Sequence, residues 1–337
     1  MEINTNKHII IVGVTGLVGR EMLKILESID FPFDNIDGCA SSNSEGKLLN
    51  YKGKQLIVRD INNIDFSNYN IALFSAGSEV SKVYAPIAIE KGCTVIDNTS
   101  YFRMRDNVPL VVPEINMNSI NGAKLIANPN CSTIQMVMPL KPLHDVFELK
   151  ELVISTYQAS GGAGQKGINA LLNETGIILN NKNSYKDNNS PFNKQIAFNV
   201  IPQIDKFDLL DYTKEEWKMI NETKKILDLP NIDITATCVR VPVIRGHAVS
   251  VFAKFNNVID ISRVKEVLSN FSGIKVVDDP NNQIYTTPID CANKNDVFVS
   301  RMRKHPTIDN GLNFWCVSDN VRKGAALNAI QIASLLQ

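Results

Sequence analysis

One cysteine of this sequence stands in a polar, turn-forming context that suits a reactive thiol. Cys131 lies within Asn128-Pro129-Asn130-Cys131-Ser132-Thr133, and a helical run begins near Ile134. At the N-terminus of a helix, the dipole and several amide N–H groups favour the thiolate, which is the nucleophilic form of cysteine. This context makes Cys131 a candidate nucleophile, while the usual structural role of a cysteine stays open at this point.

The other cysteines have the surroundings of small buried apolar residues, which is the usual role of this residue type. They lie mostly within or beside strand-like runs: Cys39, Cys93, Cys238, Cys291 and Cys316. Scattered in this way, they form neither a disulfide framework nor a CxxC metal-binding pair. We therefore expect no metal site, and we expect a cytoplasmic enzyme with reduced thiols.

A thiolate that forms an acyl-enzyme also needs a group that moves protons. The sequence has four histidines, and one of them ends the turn Arg245-Gly246-His247 between two predicted strands. Because Arg240 comes seven residues before His247, this turn can carry both side chains to one cleft. The other histidines, at a strand start, a helix end and a charged loop, favour structural or solvated roles: His8, His144 and His305.

A glycine-rich segment near the N-terminus has the spacing of a dinucleotide-binding loop. The run Gly13-Val14-Thr15-Gly16-Leu17-Val18-Gly19 follows a predicted buried strand, His8–Val12, and opens a predicted helix, Leu17–Glu27. Glycines here permit a tight turn and the close approach of a pyrophosphate to the N–H groups of the helix N-terminus. Such a loop can also serve packing alone, but its place at a strand–helix junction favours nucleotide binding.

The end of the second predicted strand, Ile36–Ala40, bears on the choice of cofactor. An NAD site usually places Asp or Glu there to bind the ribose hydroxyls. This chain continues with small hydroxyl residues and a nearby lysine, Ser41-Ser42-Asn43-Ser44-Glu45-Gly46-Lys47, which leave room for a 2′-phosphate. The segment favours NADP, while the carboxylate of Glu45 leaves some use of NAD open.

The length and charge of the chain limit its number of domains and the kinds of partner it can bind. The 337 residues are 21% charged and 44% hydrophobic, which is ordinary for a globular chain of two domains or one large domain. Basic and acidic residues number 35 each, so no net field attracts nucleic acid or an acidic membrane. Neither a transmembrane-length apolar run nor a signal peptide is recognisable. We expect small-molecule substrates, and neither nucleic-acid nor membrane partners.

The pattern of strands and helices predicts an α/β protein with two kinds of sheet. Short apolar strands alternate with helices in the first part, which favours a Rossmann-type parallel sheet. Its later elements are expected at Ile71–Phe74, 80–91 (helix), Thr94–Asp97, Leu110–Val112 and Leu125–Ala127. After about Lys150 the strands lengthen and fewer helices intervene, which favours an α+β domain with a mixed sheet.

In the second part, strands are assigned where apolar and polar residues alternate, and helices where apolar residues recur at helical spacing. Strands are expected at Leu149–Gln158, Ile234–Val241, Ala248–Phe255, Val297–Met302 and Leu312–Val317, and helices at Gln165–Gly176, Lys214–Leu227 and Ser262–Phe271. The Asn-rich stretch Asn180–Asn193 is interpreted as an exposed loop, and a final helix, Arg322–Leu336, as one that returns to the first domain.

These motifs together resemble the aspartate-semialdehyde dehydrogenase family over nearly the whole chain. The most specific pieces are the Cys131 segment, Gln158-Ala159-Ser160-Gly161-Gly162-Ala163-Gly164, and Arg240-Val241-Pro242-Val243-Ile244-Arg245-Gly246-His247. The resemblance implies a dinucleotide-binding domain over 1–130 and 320–337. It implies a catalytic, substrate and dimerisation domain over 131–319, and a homodimer or a pair of dimers.

That family reduces L-4-aspartyl phosphate to L-aspartate 4-semialdehyde with NADPH, reversibly, in lysine, threonine and methionine biosynthesis. The resemblance implies that Cys131 is the nucleophile, that His247 is the acid/base and that Gln158 orients the intermediate. Substrate and phosphate would be held by one further group of residues: Arg103, Asn130, Glu222, Lys225 and Arg240. The cofactor would be held by another: Gly13, Thr15, Gly16, Leu17, Val18, Ser41, Ser42, Ser75, Gly77, Ser160, Gly161, Gly162 and Asn320.

One position departs from the family pattern. Members often carry an arginine in the second-strand segment to clasp the 2′-phosphate, where this chain has Asn43. The resemblance therefore implies NADP with a smaller preference over NAD than usual.

Three alternatives bear on this interpretation. N-acetyl-glutamyl-phosphate reductase performs the same chemistry, but it carries Gly before the nucleophile and an aromatic residue after it, where this chain has Asn130 and Ser132. Glyceraldehyde-3-phosphate dehydrogenase also works through a thioester, but its second strand ends in an acidic residue. A catalytically dead binding module is disfavoured because Cys131, Gln158, Arg240 and His247 are all retained.

Overall fold

The computed structural model describes residues 8–29, 31, 35–180 and 190–336. Its contacts divide the chain into two compact units, one of residues 1–130 and 325–337 and one of residues 131–324. The chain therefore returns to the first unit at Ala325, whereas the sequence places that return at Asn320.

The described strands and helices alternate through most of the chain. The strands are β1 His8–Val12, β2 Asn35–Ala40, β3 Leu48–Tyr51, β4 Lys54–Ile57, β5 Arg59–Asp60, β6 Ile71–Phe74, β7 Thr94–Asp97, β8 Leu125–Ala127, β9 Leu149–Ala159, β10 Asp233–Val241, β11 His247–Phe255, β12 Ile274–Val276, β13 Val297–Lys304 and β14 Gly311–Ser318. The helices are α1 Leu17–Ser28, α2 Ser78–Glu90, α3 Pro113–Asn116, α4 Cys131–Phe147, α5 Gly164–Leu179, α6 Lys214–Leu227, α7 Ile261–Ser269, α8 Pro288–Cys291 and α9 Leu327–Ser334.

The first unit is built on a six-stranded sheet in the order β5-β2-β1-β6-β7-β8. Its described strand pairs are all parallel, and the central strands β1 and β6 are buried along most or all of their length. Uninterrupted apolar runs suit strands that are covered on both faces. Because the strand order reverses between β1 and β6, the carboxyl ends of these two strands form the crevice in which such sheets bind ligands.

The second unit contains a six-stranded sheet in the order β10-β9-β11-β14-β13-β12. The outer pairs β10–β9 and β12–β13 are parallel and the inner pairs are antiparallel, which makes the sheet mixed. Burial alternates along β9, as expected for a sheet with one covered face. The parallel sheet and the mixed sheet together confirm the predicted fold class.

Two sequence predictions on secondary structure need correction. Residues 110–112 form only an isolated bridge, Leu110 to Ala127, because prolines at 109 and 113 bracket the segment and cannot donate ladder hydrogen bonds. The final helix does not run unbroken from Arg322, because a π-helical turn at Arg322–Ala326 precedes α9, which packs against α1. Most of the predicted Asn-rich loop, at 181–189, lies outside the described residues.

No helix in the described ranges is both long enough and apolar enough to cross a bilayer.

Helix α6 depends on a capping box at its first turn. The Thr213 hydroxyl accepts a hydrogen bond from the backbone N–H of Glu216 at 3.3 Å, and the Glu216 carboxylate accepts one from the Thr213 N–H at 2.6 Å. We expect Thr213→Ala to lower the free energy of unfolding by about 1 kcal/mol, because one amide donor loses its acceptor. Urea unfolding followed by circular dichroism measures this, and Thr213→Ser, which keeps the hydroxyl, should lose clearly less. Equal loss in both variants would contradict the capping role.

Candidate active site

Cys131 is the first residue of α4, whose first turn carries no acidic side chain. It is also the one partly exposed cysteine among the six, all of which are described and unpaired in disulfides. Burial raises the pKa of Cys39 and of Cys291 to about 12 and that of Cys93 to about 11. Burial also raises the pKa of Cys238 and Cys316. Burial therefore separates five of the thiols from Cys131.

Gly324 leaves space beside this thiol. A Cβ at position 324 would lie 2.8 Å from the Cβ of Cys131, which is too close for two carbon atoms. Gly324 belongs to the π-helical turn, an irregularity that often occurs at functional sites.

His247 is the first residue of β11 and is completely buried. Its carbonyl oxygen accepts a hydrogen bond from Gln135 at 3.2 Å. Gln135 lies one turn after Cys131 on α4 and therefore on the same side of that helix. This contact places the start of β11 beside the face of α4 on which Cys131 lies.

The imidazole of His247 is held in a strongly desolvated environment. Its Nδ1 accepts a hydrogen bond from the backbone N–H of Ala159 at 2.9 Å. Burial and then the positive charge of Arg240 lower the pKa of His247 to about 3, against opposing effects of Glu215 and the Gly246 backbone. The ring is therefore neutral throughout the physiological pH range.

Hydrogen bonds join the turn before His247 to the residues that follow β14. Asp319, which is fully buried, accepts from Arg245 Nε at 2.5 Å and from the N–H of Asn293 at 2.7 Å. Asn320 Oδ1 accepts from the N–H of Gly246 at 2.9 Å. Gly246 itself has φ +93°, where a side chain would be strained. These bonds fix the direction in which His247 enters the site.

Arg240 lies on β10 directly beside Gln158 of β9 in the parallel ladder. Its Nη1 donates to the carbonyl oxygen of Ala159 at 2.8 Å. Burial lowers the pKa of Arg240, and the negative charges of Glu215 and the Cys131 thiolate act in the opposite direction. Arg240 also lines a cavity of about 360 Å³ in the second unit, together with Phe192, Gln203 and Asp205. A buried guanidinium at a cavity wall suits a carboxylate ligand.

Gln158 is held by hydrogen bonds at both ends of its amide. Its Oε1 accepts from the Thr156 hydroxyl at 3.0 Å, and its Nε2 donates to Glu215 at 3.0 Å. Lys218 forms ion pairs with Glu215 and Asp205, each at 3.0 Å. Burial alone would lower the pKa of Lys218, but the two carboxylates outweigh it and raise that pKa. The ammonium group therefore stays charged.

The charged pair found beside Gln158 and Arg240 is thus Glu215 and Lys218, whereas the resemblance implied Glu222 and Lys225. Both pairs lie on α6, and Glu222 is buried. Positions seven apart occupy nearly the same face of a helix, two turns along its axis. The contacts around Gln158 therefore involve Glu215 and, through it, Lys218, which lie one heptad before Glu222 and Lys225 on the same helix.

Residues 160–162 follow β9, and the family resemblance implied that they hold the cofactor. The structure engages two of these groups, since Ser160 donates to the carbonyl oxygen of Val243 at 2.7 Å and Gly161 to that of Ile244 at 3.1 Å. Gly162 lies directly against two of the predicted site residues. A Cβ there would lie 2.5 Å from Arg240 Nη1 and 3.1 Å from His247 Nε2. Only glycine leaves room for both side chains.

The first unit presents the glycine-rich loop at the crevice between β1 and β6. Gly13 has φ +90°, and a Cβ there would lie 2.9 Å from the backbone of Ala76 in the neighbouring loop of Ser75 and Gly77. Helix α1 begins after Gly16 with neither a side-chain cap nor an acidic residue in its first turn. Ser41 and Ser42 are exposed after β2. The glycine-rich loop, the start of α1 and the two exposed serines together fit the pyrophosphate and ribose of a dinucleotide.

The remaining predicted residues have the following places. In the first unit, Arg103 donates through Nε to Asn128 O at 2.9 Å and through Nη2 to Asn98 O at 2.7 Å. Asn130 ends that unit and is buried. Within the described ranges, no group of three or more His, Cys, Asp or Glu residues is arranged to hold a metal ion.

Comparisons with known proteins identify the class of protein. Residues 8–123 match the family described as semialdehyde dehydrogenase, NAD binding domain, and residues 140–323 match semialdehyde dehydrogenase, dimerisation domain. The chain is 46% identical to aspartate-semialdehyde dehydrogenase of Bacillus subtilis and 48% identical to that of Aquifex aeolicus, over 98% of this chain and 97% of each relative.

A solved structure agrees with these matches. The crystal structure of aspartate semialdehyde dehydrogenase II from Vibrio cholerae, complexed with ASA, superposes with a TM-score of 0.94 at 44% identity over 98% of both chains. Together the matches define a semialdehyde dehydrogenase. The chain belongs to the aspartate-semialdehyde dehydrogenase family.

The space around Gly162 can be tested with a single methyl group. We expect Gly162→Ala to lower kcat/KM by up to about 10²-fold, because the methyl displaces Arg240 and His247 from their positions. The matched control is Gly176→Ala in α5, where an added Cβ meets no atom within 4 Å. Steady-state kinetics with aspartate semialdehyde and circular dichroism measure both variants. Equal activity in the two variants would contradict the assigned crowding.

Proposed function

We propose that this enzyme reduces L-4-aspartyl phosphate to L-aspartate 4-semialdehyde with NADPH through a thioester on Cys131, and that it also catalyses the reverse reaction. We place this reaction in lysine, threonine and methionine biosynthesis. The observation that supports the proposal most is one partly exposed thiol at a helix N-terminus, on a helix whose next turn contacts His247, while every other cysteine is buried.

The proposed first half-reaction forms the thioester. The Cys131 thiolate attacks the acyl carbon of the aspartyl phosphate, and phosphate departs with the electron pair of the C–O bond. The N-terminal dipole of α4 and the nearby Arg240 charge favour the thiolate over the thiol. NADPH, when bound, supplies the hydride that converts the thioester to the aldehyde.

Substrate recognition is proposed to rest on charge. The Arg240 guanidinium binds the α-carboxylate through two hydrogen bonds, because its planar fork matches a carboxylate. Glu215 takes the role of the acidic residue near the α-amine, in place of Glu222. Lys218 takes the role of the basic residue for phosphate, in place of Lys225. Arg103 remains the proposed second phosphate ligand.

The cofactor is proposed to be NADP. The residues that would hold it are the loop Gly13–Val18, the exposed serines Ser41 and Ser42, and the Ser75–Gly77 turn, with Asn320 as the proposed neighbour of the nicotinamide. The exposed segment after β2 has no carboxylate directly at the strand end, which leaves space for a 2′-phosphate.

A homodimer, or a pair of dimers, is proposed to form through the outer face of the mixed sheet. This face carries Val153 with 43% of its surface exposed and Tyr157 with 37%. The ring of Tyr157 packs 5.3 Å from that of Trp315, so aromatic surface is concentrated there. The family match to a dimerisation domain over residues 140–323, which include this sheet, favours a second copy of the chain as its partner.

The nucleophile is tested by removing its sulfur. We expect Cys131→Ala to abolish turnover of aspartate semialdehyde, because no other thiol is accessible to form a thioester. NADP binding, measured by titration calorimetry, should be nearly unchanged, since the substitution leaves the glycine-rich loop intact. Turnover near the native level in this variant would rule out the thioester on Cys131.

The cofactor assignment is tested by initial rates with NADP and NAD. We expect a modest preference for NADP in the native enzyme, because Ser41, Ser42 and Lys47 accommodate the phosphate without an arginine clasp. Asn43→Arg should increase the ratio of kcat/KM for NADP over NAD by roughly tenfold, in line with one added charged hydrogen bond. Asn43→Gln is the uncharged control. A native preference for NAD would contradict the assignment.

A further inference from the structure

Three asparagine side chains form a line of hydrogen bonds in the first unit. Asn328 on α9 donates through Nδ2 to Asn128 Oδ1 at 2.7 Å, and Asn128 donates through its own Nδ2 to Asn98 Oδ1 at 2.6 Å. Asn328 and Asn128 are completely buried. Asn98 directly follows β7 and Asn128 directly follows β8. The three side chains therefore connect the last helix to the carboxyl ends of two neighbouring parallel strands.

Backbone carbonyl groups determine the orientation of these amides. Nδ2 of Asn328 also donates to the carbonyl oxygen of Val111 at 2.9 Å, and Nδ2 of Asn128 to that of Ala325 at 3.3 Å. A carbonyl oxygen can only accept, so each amide must turn its NH2 group towards it. Reversal of the Asn128 amide would oppose two donors at Asn328 and two acceptors at Asn98. Donation therefore runs in one direction, from α9 towards β7.

The hydrogen bond between Asn128 and Asn98 extends the pairing of β7 and β8 past its end. The last paired residues of these strands are Asp97 and Ala127, and the N–H of Asn128 still donates to the oxygen of Asp97 at 2.8 Å. Both strands end at this pair. The side-chain bond then holds the next two residues together, and it limits how far their own carbonyl oxygens can move apart.

Those two carbonyl oxygens hold the Arg103 guanidinium. Arg103 donates through Nη2 to the backbone oxygen of Asn98 at 2.7 Å and through Nε to that of Asn128 at 2.9 Å. Arg103 is itself buried, and a buried guanidinium is stable only where acceptors are placed to meet it. Because both acceptors belong to the bonded asparagines, the side-chain bond sets the position of the guanidinium.

We propose that Asn328 is a positioning residue of the phosphate site, which acts on the Arg103 guanidinium through the two other asparagines. Its N–H donors orient the Asn128 amide, and that amide holds Asn98. The carbonyl oxygens of this pair then direct Arg103. The proposal rests on the proposed function, in which Arg103 is a ligand of phosphate, and it gives α9 a part in phosphate binding although none of the proposed ligands lies on this helix.

The first test removes the donors of Asn328. Asn328→Leu keeps nearly the same side-chain volume but cannot donate. We expect the KM for phosphate in the oxidation of aspartate semialdehyde to rise about tenfold, the order expected when one charged hydrogen bond is weakened. The affinity for NADP, measured by titration calorimetry, should be nearly unchanged, because the glycine-rich loop is not altered.

The matched control lies on the same helix. Gln331 donates through Nε2 to Glu114 Oε1 at 2.9 Å, and Gln331→Leu removes this bond without altering the three asparagines. We expect a native KM for phosphate in this variant. An equal rise in the control and in Asn328→Leu would show a general effect of disturbing α9 and would contradict the positioning role.

The second test starts from the opposite end and leaves α9 intact. Asn98 is only partly buried, and Asn98→Ala removes the acceptor of Asn128 Nδ2. We expect a similar rise in the KM for phosphate. Because both asparagines act through Arg103, adding either substitution to Arg103→Met should cause little further rise, whereas independent effects would multiply. A full multiplication of the two effects would contradict the proposal.

The Nε–H group of Arg103 provides a measurement that needs no turnover. In ¹⁵N-labelled protein its signal is identified by its loss in Arg103→Met, and its proton exchanges slowly with solvent while the bond to Asn128 persists. We expect faster exchange in Asn328→Leu and in Asn98→Ala, and native exchange in Gln331→Leu. Native exchange in Asn328→Leu would overturn the proposal, whatever the kinetic result.

Failure of the proposed function has a different signature. If Arg103 is not a ligand of phosphate, Arg103→Met itself leaves the KM for phosphate unchanged. Faster exchange in Asn328→Leu would then still support the positioning of Arg103 by Asn328, while the role of Arg103 towards phosphate would be refuted.

Discussion

The active site depends on the register of three neighbouring strands at one end of the mixed sheet. Arg240 pairs with Gln158 in the parallel β9–β10 ladder, and Ala248, just after His247, pairs with Tyr157 in the antiparallel β9–β11 ladder. Side chains alternate between the faces of a sheet, so a slip of one residue in either ladder would turn Arg240 or His247 to the opposite face. The bonds from Asp319 and Asn320 to the preceding turn secure this register where β11 begins.

Buried charge is the main energetic cost of this arrangement. Arg240, Glu215 and Lys218 are largely removed from water, and each has a partner that offsets its desolvation: a carbonyl oxygen, an amide or a carboxylate. Such networks are stable only when nearly every polar atom is satisfied. The proposed substrate brings a carboxylate, an amine and a phosphate, so it extends the same network instead of disrupting it. In the proposed function, that complementarity is the basis of specificity for a charged amino-acid derivative.

The sequence predicted features that depend on local pattern and failed where contacts between distant segments decide. The loop Gly13–Gly19 and the helix Lys214–Leu227 could be assigned from glycine spacing and helical periodicity. The contact between Gln158 and Glu215 could not be assigned in this way, because Glu222 lies on nearly the same face of the helix and Gln158 is 57 residues away from Glu215 in sequence. The hydrogen bond from the Ala159 N–H to His247 Nδ1 joins residues 88 apart in sequence, and no local pattern predicts it.

The contrast among the six thiols also has a consequence for oxidative damage. Thiols are oxidised in the thiolate form and only where oxidants can reach them. The five buried sulfur atoms are protected by both burial and raised pKa values, whereas Cys131 is partly exposed. Peroxide would therefore react mainly with a single sulfur, and under the proposed mechanism it would stop catalysis while the hydrophobic cores stay intact. Loss of activity in stored enzyme would then reflect the redox state of one atom, which a reductant can restore at the sulfenic acid stage.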